Sequence, residues 1–158
     1  MKSRRTPNQY SAKAILHHDD EVLLLQKANR KWDLPGGRYK PGEYAVAAML
    51  RELDEEIGGR NVRKLAAGPI EYVCSLSRQK DNGVNQTKDY WSIATPDTIS
   101  LKRRYLSGEH RNAAWVPVSE VLEMVQHPMH AEALQLKFDN QDWLFDMDEL
   151  SLPQLTRV

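Results

Sequence analysis

The sequence predicts an α/β fold of the α+β kind, a mixed β-sheet with helices packed on it. Three observations carry this. Short apolar segments bounded by turn residues recur along the chain, and one stretch at Tyr44–Ile57 has helical periodicity. No repeat, low-complexity tract or long linker divides the 158 residues, a length that suits one domain. The expectation is a single domain over 1–158, with its core at 10–136 and a tail at 138–158.

Taken in order, Tyr10–His17 and Glu21–Lys27 are apolar segments flanking His18-Asp19-Asp20, which predicts a β-hairpin. A short strand at Lys31–Leu34 should stop at Pro35, which cannot donate to a sheet ladder. Pro35-Gly36-Gly37 reads as a tight turn, and Lys40-Pro41-Gly42 as a second. In the helix that follows, Val46, Met49, Leu50, Leu53 and Ile57 form one apolar stripe. Glu43 favours the positive end of its dipole, and Gly58-Gly59 supplies the stop. Ile70–Arg78 and Lys88–Thr95 read as strands joined through Asp81-Asn82-Gly83. Ala113–Val118 is a further strand. Ser119 is the expected cap of a helix from Glu120 to Gln126, and Pro128 opens a last helix through Leu136. Apolar residues in the tail, among them Trp143, Leu144 and Phe145, predict docking and leave a homodimer open.

Composition narrows the function classes. Apolar residues make up 41% and charged residues 28%, as in an ordinary globular domain. Lys+Arg and Asp+Glu both total 22, so nothing favours bulk nucleic acid or an anionic membrane, although a local basic patch for a small phosphorylated ligand is allowed. The single cysteine, Cys74, rules out an intramolecular disulfide and reads as a small packed hydrophobe. The basic start Met1–Arg5 is followed by no apolar signal region, and no apolar run is long enough to cross a bilayer, so a cytoplasmic protein is expected.

At about 100° per residue, Glu52, Glu55 and Glu56 fall on one sector of the helix, beside the apolar stripe. Three such carboxylates repel one another and raise each other's pKa. A divalent cation reverses the sign of that effect, and an oxygen-rich set without a Cys/His cluster suits Mg²⁺, with Mn²⁺ as a substitute. Such an ion shares its shell with substrate phosphates and activates water, so the fitting reaction is hydrolysis of a diphosphate. Each glutamate taken singly reads as a solvated helix face, and Arg51 alone as a surface ion-pair partner. The upstream loop changes those odds.

Residues Gly37 to Gly59 resemble the Nudix box: Gly, five residues, Glu, seven residues, Arg-Glu, an aliphatic residue, any residue, Glu-Glu, any residue, Gly, aliphatic. Gly37, Glu43, Arg51, Glu52, Leu53, Glu55, Glu56 and Gly58 match, at chance odds of about 10⁻⁹ per starting position. Gly59 departs from the pattern at a packing position. Trp32–Gly37 and the spacing of Glu109 from Trp115-Val116-Pro117 extend the resemblance. It implies an α/β/α sandwich and a Mg²⁺-dependent pyrophosphohydrolase acting on a nucleoside diphosphate derivative, most simply a nucleoside triphosphate. It implies Glu55 and Glu56 as metal ligands, Glu52 as ligand or general base, Arg51 as its orienter and the Gly37 carbonyl as part of the metal shell. Glu43 would brace the loop–helix junction or reach a metal through water, and Glu109 would be an extra ligand or base. From the residues themselves, Arg38 and Lys40 are candidates for phosphate contact, equally readable as solvated loop charges. Trp32 and Tyr39 are candidates for stacking on a base, although such aromatics are more often core or rim residues. Two other functions stay open: a regulatory module that binds nucleotide without turnover, and a hydrolase of 5′ RNA ends. Activity should fall at acid pH as the glutamates protonate and release metal.

Overall fold

The computed structural model describes residues 7–65, 67–96, 101 and 108–138. The tail at 139–158, with the docking expected of Trp143–Phe145, lies outside them. Among the described residues seven strands form one mixed sheet: β1 (Asn8–His18), β2 (Glu21–Lys27), β3 (Trp32–Asp33), β4 (Gly36–Arg38), β5 (Ile70–Gln79), β6 (Asn85–Ala94) and β7 (His110–Pro117). The helices described on it are α1 (Ala45–Ile57), α2 (Gly59–Leu65), α3 (Val118–Met124) and α4 (Pro128–Phe138).

The hairpin expected at the start forms only at its tip, where His17 pairs Val22 and His18 pairs Glu21. Below that the strands part. β1 runs parallel to β6 from Asn8 to His17, and β2 runs antiparallel to β7. The chain returning from β2 fills the split, with β3 on β2 and β4 on β1. Pro35-Gly36-Gly37 is therefore not a tight turn. The chain bends at Pro35, whose carbonyl accepts the Ala14 N–H at 2.8 Å, and continues extended as β4. Gly36 makes this approach available: it sits at φ 135°, and a Cβ there would lie 2.1 Å from the Ala12 carbonyl oxygen.

Alternation along the strands sorts the core into two layers. Ala12, Ala14, Leu16, Leu23 and Leu25 pack against Ala48, Met49, Leu53 and Ile57 of α1 and Leu65 of α2. Ile15, Val22, Leu24, Tyr90 and Val116 pack against Val121, Met129, Ala133 and Leu134 on the other face. Each fully buried Leu, Ile or Met contributes about 1.5–3 kcal/mol. Within the expected stripe of α1, Met49, Leu53 and Ile57 are buried, while Val46 and Leu50 are only partly covered. Gly58 ends α1 at φ 86°, its N–H bonded to the Asp54 carbonyl, and the chain re-enters helix at once as α2.

The Asp81-Asn82-Gly83 hairpin turn forms, with Gly83 at positive φ. Ser119 caps nothing: α3 begins at Val118 with Pro117 at its N-cap position. α4 begins at Pro128 as expected, and the His127 ring caps it, Nδ1 accepting the Met129 N–H at 3.2 Å. Cys74 packs half-buried against the second layer, and burial raises its thiol pKa to about 11. Among the described residues no helix is long and apolar enough to cross a membrane.

Candidate active site

The split between β1 and β2 opens a cleft of ≈ 670 Å³, lined on one wall by Gly36, Gly37, Glu52 and Glu56. Two turns of α1 present the acids, and β4 meets them with its backbone. The Gly36 N–H donates to Glu56 Oε1 at 2.7 Å, and His110 Nε2 lies 3.3 Å from Oε2. The Glu52 carboxylate lies over Gly37, so close that a Cβ there would stand 2.4 Å from Glu52 Cδ. Glycine at this position is thus a requirement of the carboxylate's placement.

Arg51 organises the outer side of the cluster. Its guanidinium donates to Glu43 at 2.7 and 3.0 Å, to Glu52 Oε1 at 2.9 Å, to Glu55 Oε1 at 3.1 Å and to the Arg38 carbonyl at 2.9 Å. Glu43 also accepts the Lys40 N–H at 2.6 Å, which ties the loop to the helix start. These bonds from Arg51 and Lys40 hold the Glu43 pKa below the usual carboxylate range.

Glu56 is the electrostatically costly member. It is 5% exposed, and burial, opposed by Lys13 and the Gly36 N–H but reinforced by Glu52 and Asp33, pushes its pKa up to about 8.

The other wall is cationic. Lys13 of β1, Lys27 of β2 and Lys88 of β6 all line the cleft, with Arg38 at its edge. Asp33 anchors two of them: its Oδ2 lies 3.2 Å from Lys13 Nζ and 3.4 Å from Lys27 Nζ. Behind it, Asp33 Oδ1 is 2.7 Å from His130 Nε2, and His130 Nδ1 is 2.6 Å from the Tyr90 hydroxyl.

Of the residues singled out in the sequence, Gly37, Arg38, Glu52, Glu56 and Glu109 meet in this cleft. Glu55 is about half exposed and turned to Arg51. Lys40 does not line the cleft; its backbone serves Glu43. Trp32 lines a separate pocket with Lys31 and His127. Tyr39 donates to Asp89, and burial, joined by that bond, raises its pKa. Lys13, Asp33, Lys88, Gln86 and His110 also line the cleft, outside the residues that the sequence singles out. A signal existed for Lys13, a charge inside the apolar strand segment Tyr10–His17.

A divalent cation fits the donors present. Among the described residues no three His, Cys, Asp or Glu side chains form a ready-made cage. Mg²⁺ does not demand one, because it keeps several waters and takes phosphate oxygens. The buried Glu56 carboxylate beside Glu52, which fills the space left by the missing Gly37 side chain, is an all-oxygen set of the right hardness.

Residues 7–137 match the NUDIX domain family, and the chain belongs to it. The chain is 51% identical over 147 residues to the 8-oxo-dGDP phosphatase NUDT18 of Mus musculus, covering 89% of this chain and 41% of that protein. It therefore spans less than half the length of that relative. It is 27% identical over 127 residues to the CTP pyrophosphohydrolase of Escherichia coli (strain K12), covering 77% of this chain and 85% of the relative. Among solved structures, the MutT protein from Methanosarcina mazei Go1 superposes with a TM-score of 0.69 at 23% identity, covering 89% of this chain and 99% of the other. That likeness shows the fold, an α/β/α arrangement around a mixed sheet.

Proposed function

We propose that this chain hydrolyses a diphosphate linkage in a small nucleotide, a nucleoside di- or triphosphate, with Mg²⁺ as its metal. The observation that carries the reading is the cleft itself: Glu52 and Glu56 at Gly36-Gly37 on one wall, three lysines on the other. Two relatives named for nucleotide cleavage support the substrate class.

The roles follow from the contacts. The carboxylates of Glu52 and Glu56 and the Gly37 carbonyl would hold the cation, with Glu55 and Glu109 at the rim as further oxygen donors. When bound, Mg²⁺ neutralises charge on the diphosphate oxygens and lowers the pKa of a water. Arg51 fixes Glu52, which takes the proton of the attacking water. Water adds to one phosphorus, the bridging P–O bond breaks and the second phosphate leaves. Arg38 and Lys27 receive phosphate oxygens from the cationic side.

The test is purified chain with Mg²⁺ and a panel of nucleoside di- and triphosphates, with products identified by ³¹P NMR. Cleavage that needs a divalent metal is expected. No diphosphate cleavage across the panel rejects the reading. Gly37→Ala is expected to lower kcat about a hundredfold by displacing Glu52, since a misplacement of about 1 Å costs that much. The melting temperature should change little, because the group displaced is the end of a flexible side chain. An unchanged kcat would show that the Glu52 position is immaterial.

A further inference from the structure

The cleft holds a cation that the chemistry above leaves unused. The ammonium of Lys13 is bonded to Asp33 and to the Leu34 carbonyl, and Lys27 is paired with Asp33. Lys88 lines the same cleft, is 8% exposed, and forms no hydrogen bond or ion pair with a described residue. Lys13, Lys27 and Lys80 oppose its charge, against Asp33 in its favour, and burial, with Lys13 adding to it, lowers its pKa to about 8. A buried ammonium without a partner is unfavourable alone, and an anion beside it removes the penalty.

The sheet says where that anion lies. Ser11 of β1 pairs Arg38 of β4 on one side and Lys88 of β6 on the other. Residues opposite one another across strands share a face, so Arg38, Ser11 and Lys88 form one row, and all three line the cleft. Ser11 is 8% exposed, and its hydroxyl makes no hydrogen bond with a described residue. Gln9 Oε1 and Gln86 Oε1 are closed off from solvent, whereas Lys88 Nζ and Ser11 Oγ are not. Lys88 stands two strand spacings, about 10 Å, from the glycine wall, beyond the phosphates that a cation at Gly37 would hold. Its ammonium offers three donors and no acceptor, and the neighbouring hydroxyl can donate as well. A group that accepts from every side suits both, and a phosphate terminus is such a group.

Resting on the hydrolase reading above, we propose that Lys88 is a phosphate anchor separate from the metal: the substrate's phosphate chain runs along the Arg38–Ser11–Lys88 row, and its terminal phosphate ends on the Lys88 ammonium. The anchor needs no metal, because the protein supplies the charge. It makes the cleft sensitive to the length of the phosphate chain. A diphosphate held at the glycine wall stops short of Lys88, and a triphosphate reaches it.

The test compares wild type with Lys88→Met, nearly isosteric and apolar, on adenosine di- and triphosphate, pyrophosphate and tripolyphosphate with Mg²⁺. KM is measured, or Ki for a compound that binds without being cleaved. The ratio of the adenosine triphosphate value to the diphosphate value should rise about ten- to a hundredfold in the variant, the cost of one lost hydrogen bond to a charged group. The inorganic pair should shift by the same factor, since the nucleoside takes no part. Lys88→Arg, which keeps the charge, should hold the wild-type ratios, and thermal melts show that both variants fold. A second arm titrates inorganic phosphate alone into metal-free protein, followed by ³¹P NMR. Wild type should bind it, and Lys88→Met should bind it at least about tenfold more weakly. Equal changes for all four substrates, a shift confined to the nucleotides, or equal phosphate binding by the two proteins would overturn the proposal. A wild-type chain that turns over nothing with Mg²⁺ sinks the hydrolase reading instead, and the metal-free titration still decides the anchor.

Discussion

Replacing Glu56 by Gln is expected to lower kcat about a thousandfold and to leave the metal-free fold as stable as before or more so. The first half follows from what a metal ligand does. Lewis-acid stabilisation of developing charge is worth several kcal/mol, and each 1.36 kcal/mol is a factor of ten in rate. The second half follows from burial. The Glu56 carboxylate is 5% exposed and receives one backbone N–H and the His110 ring, too little to offset its lost hydration. Gln keeps an acceptor for the Gly36 N–H and carries no charge. Steady-state rates with saturating Mg²⁺, and thermal melts with and without Mg²⁺, check both. Mg²⁺ should raise the wild-type melting temperature and leave that of the variant where it was. Glu55→Gln should cost less, because Glu55 is half exposed and turned to Arg51. A Glu56→Gln enzyme within tenfold of wild type would remove Glu56 from the metal.

The same balance explains why this site was readable from sequence while the opposite wall was not. The acids lie on one helix, at spacings that fix which face they share, and the glycines that meet them lie close in the chain. Local geometry therefore carries the information. The cationic wall is assembled from β1, β2, β3 and β6, and its contacts join residues as distant as Asp33 and His130. Nothing in a period-2 pattern says that β1 leaves β2 after two pairs to run beside β6. Pro35-Gly36-Gly37 was misread for a related reason. Glycine signals freedom of φ, and here that freedom serves an extended strand pressed onto β1 instead of a turn. α2 was hidden because a helix opening at Gly59 runs against propensity, and its hold comes from Leu65 in the core under α1. Ser119 looked like a cap, but α3 opens one residue before it.

Asp33→Ala is expected to cost about 3–5 kcal/mol of folding stability, the range for breaking a buried ion pair by removing one partner. Asp33 serves Lys13, Lys27 and His130 at once, and Lys13 and His130 are almost wholly buried. A carboxylate only accepts, so His130 Nε2–H donates to Asp33 and Nδ1 accepts the Tyr90 hydroxyl, which makes the ring neutral. Burial lowers the His130 pKa to about 4 despite the pull of Asp33. The Asp33 pKa falls well below its ordinary value: burial opposes this, and the His130 hydrogen bond and Lys13 charge outweigh it. The signs follow. His130 contributes stability that is complete above about pH 6.5 and lost as pH falls toward 4, because the unfolded chain takes up the proton first. Asp33 contributes stability that is complete above about pH 4 and lost below it. Acidification therefore removes the His130 share first and the Asp33 share below it, while Glu56, whose raised pKa makes the folded chain take up its proton first, adds stability between about pH 8 and 4.5; in Glu56→Gln, which removes that opposing contribution, the first stage is worth about 3 kcal/mol. Urea titrations at pH 7, 5.5 and 4 measure the first stage, and Asp33→Asn, which keeps an acceptor for His130, should fall between wild type and Asp33→Ala. If Asp33→Ala unfolds within 1 kcal/mol of wild type at pH 7, the lysines and His130 find other partners at no cost, and the carboxylate does not hold β3 to β1 and α4.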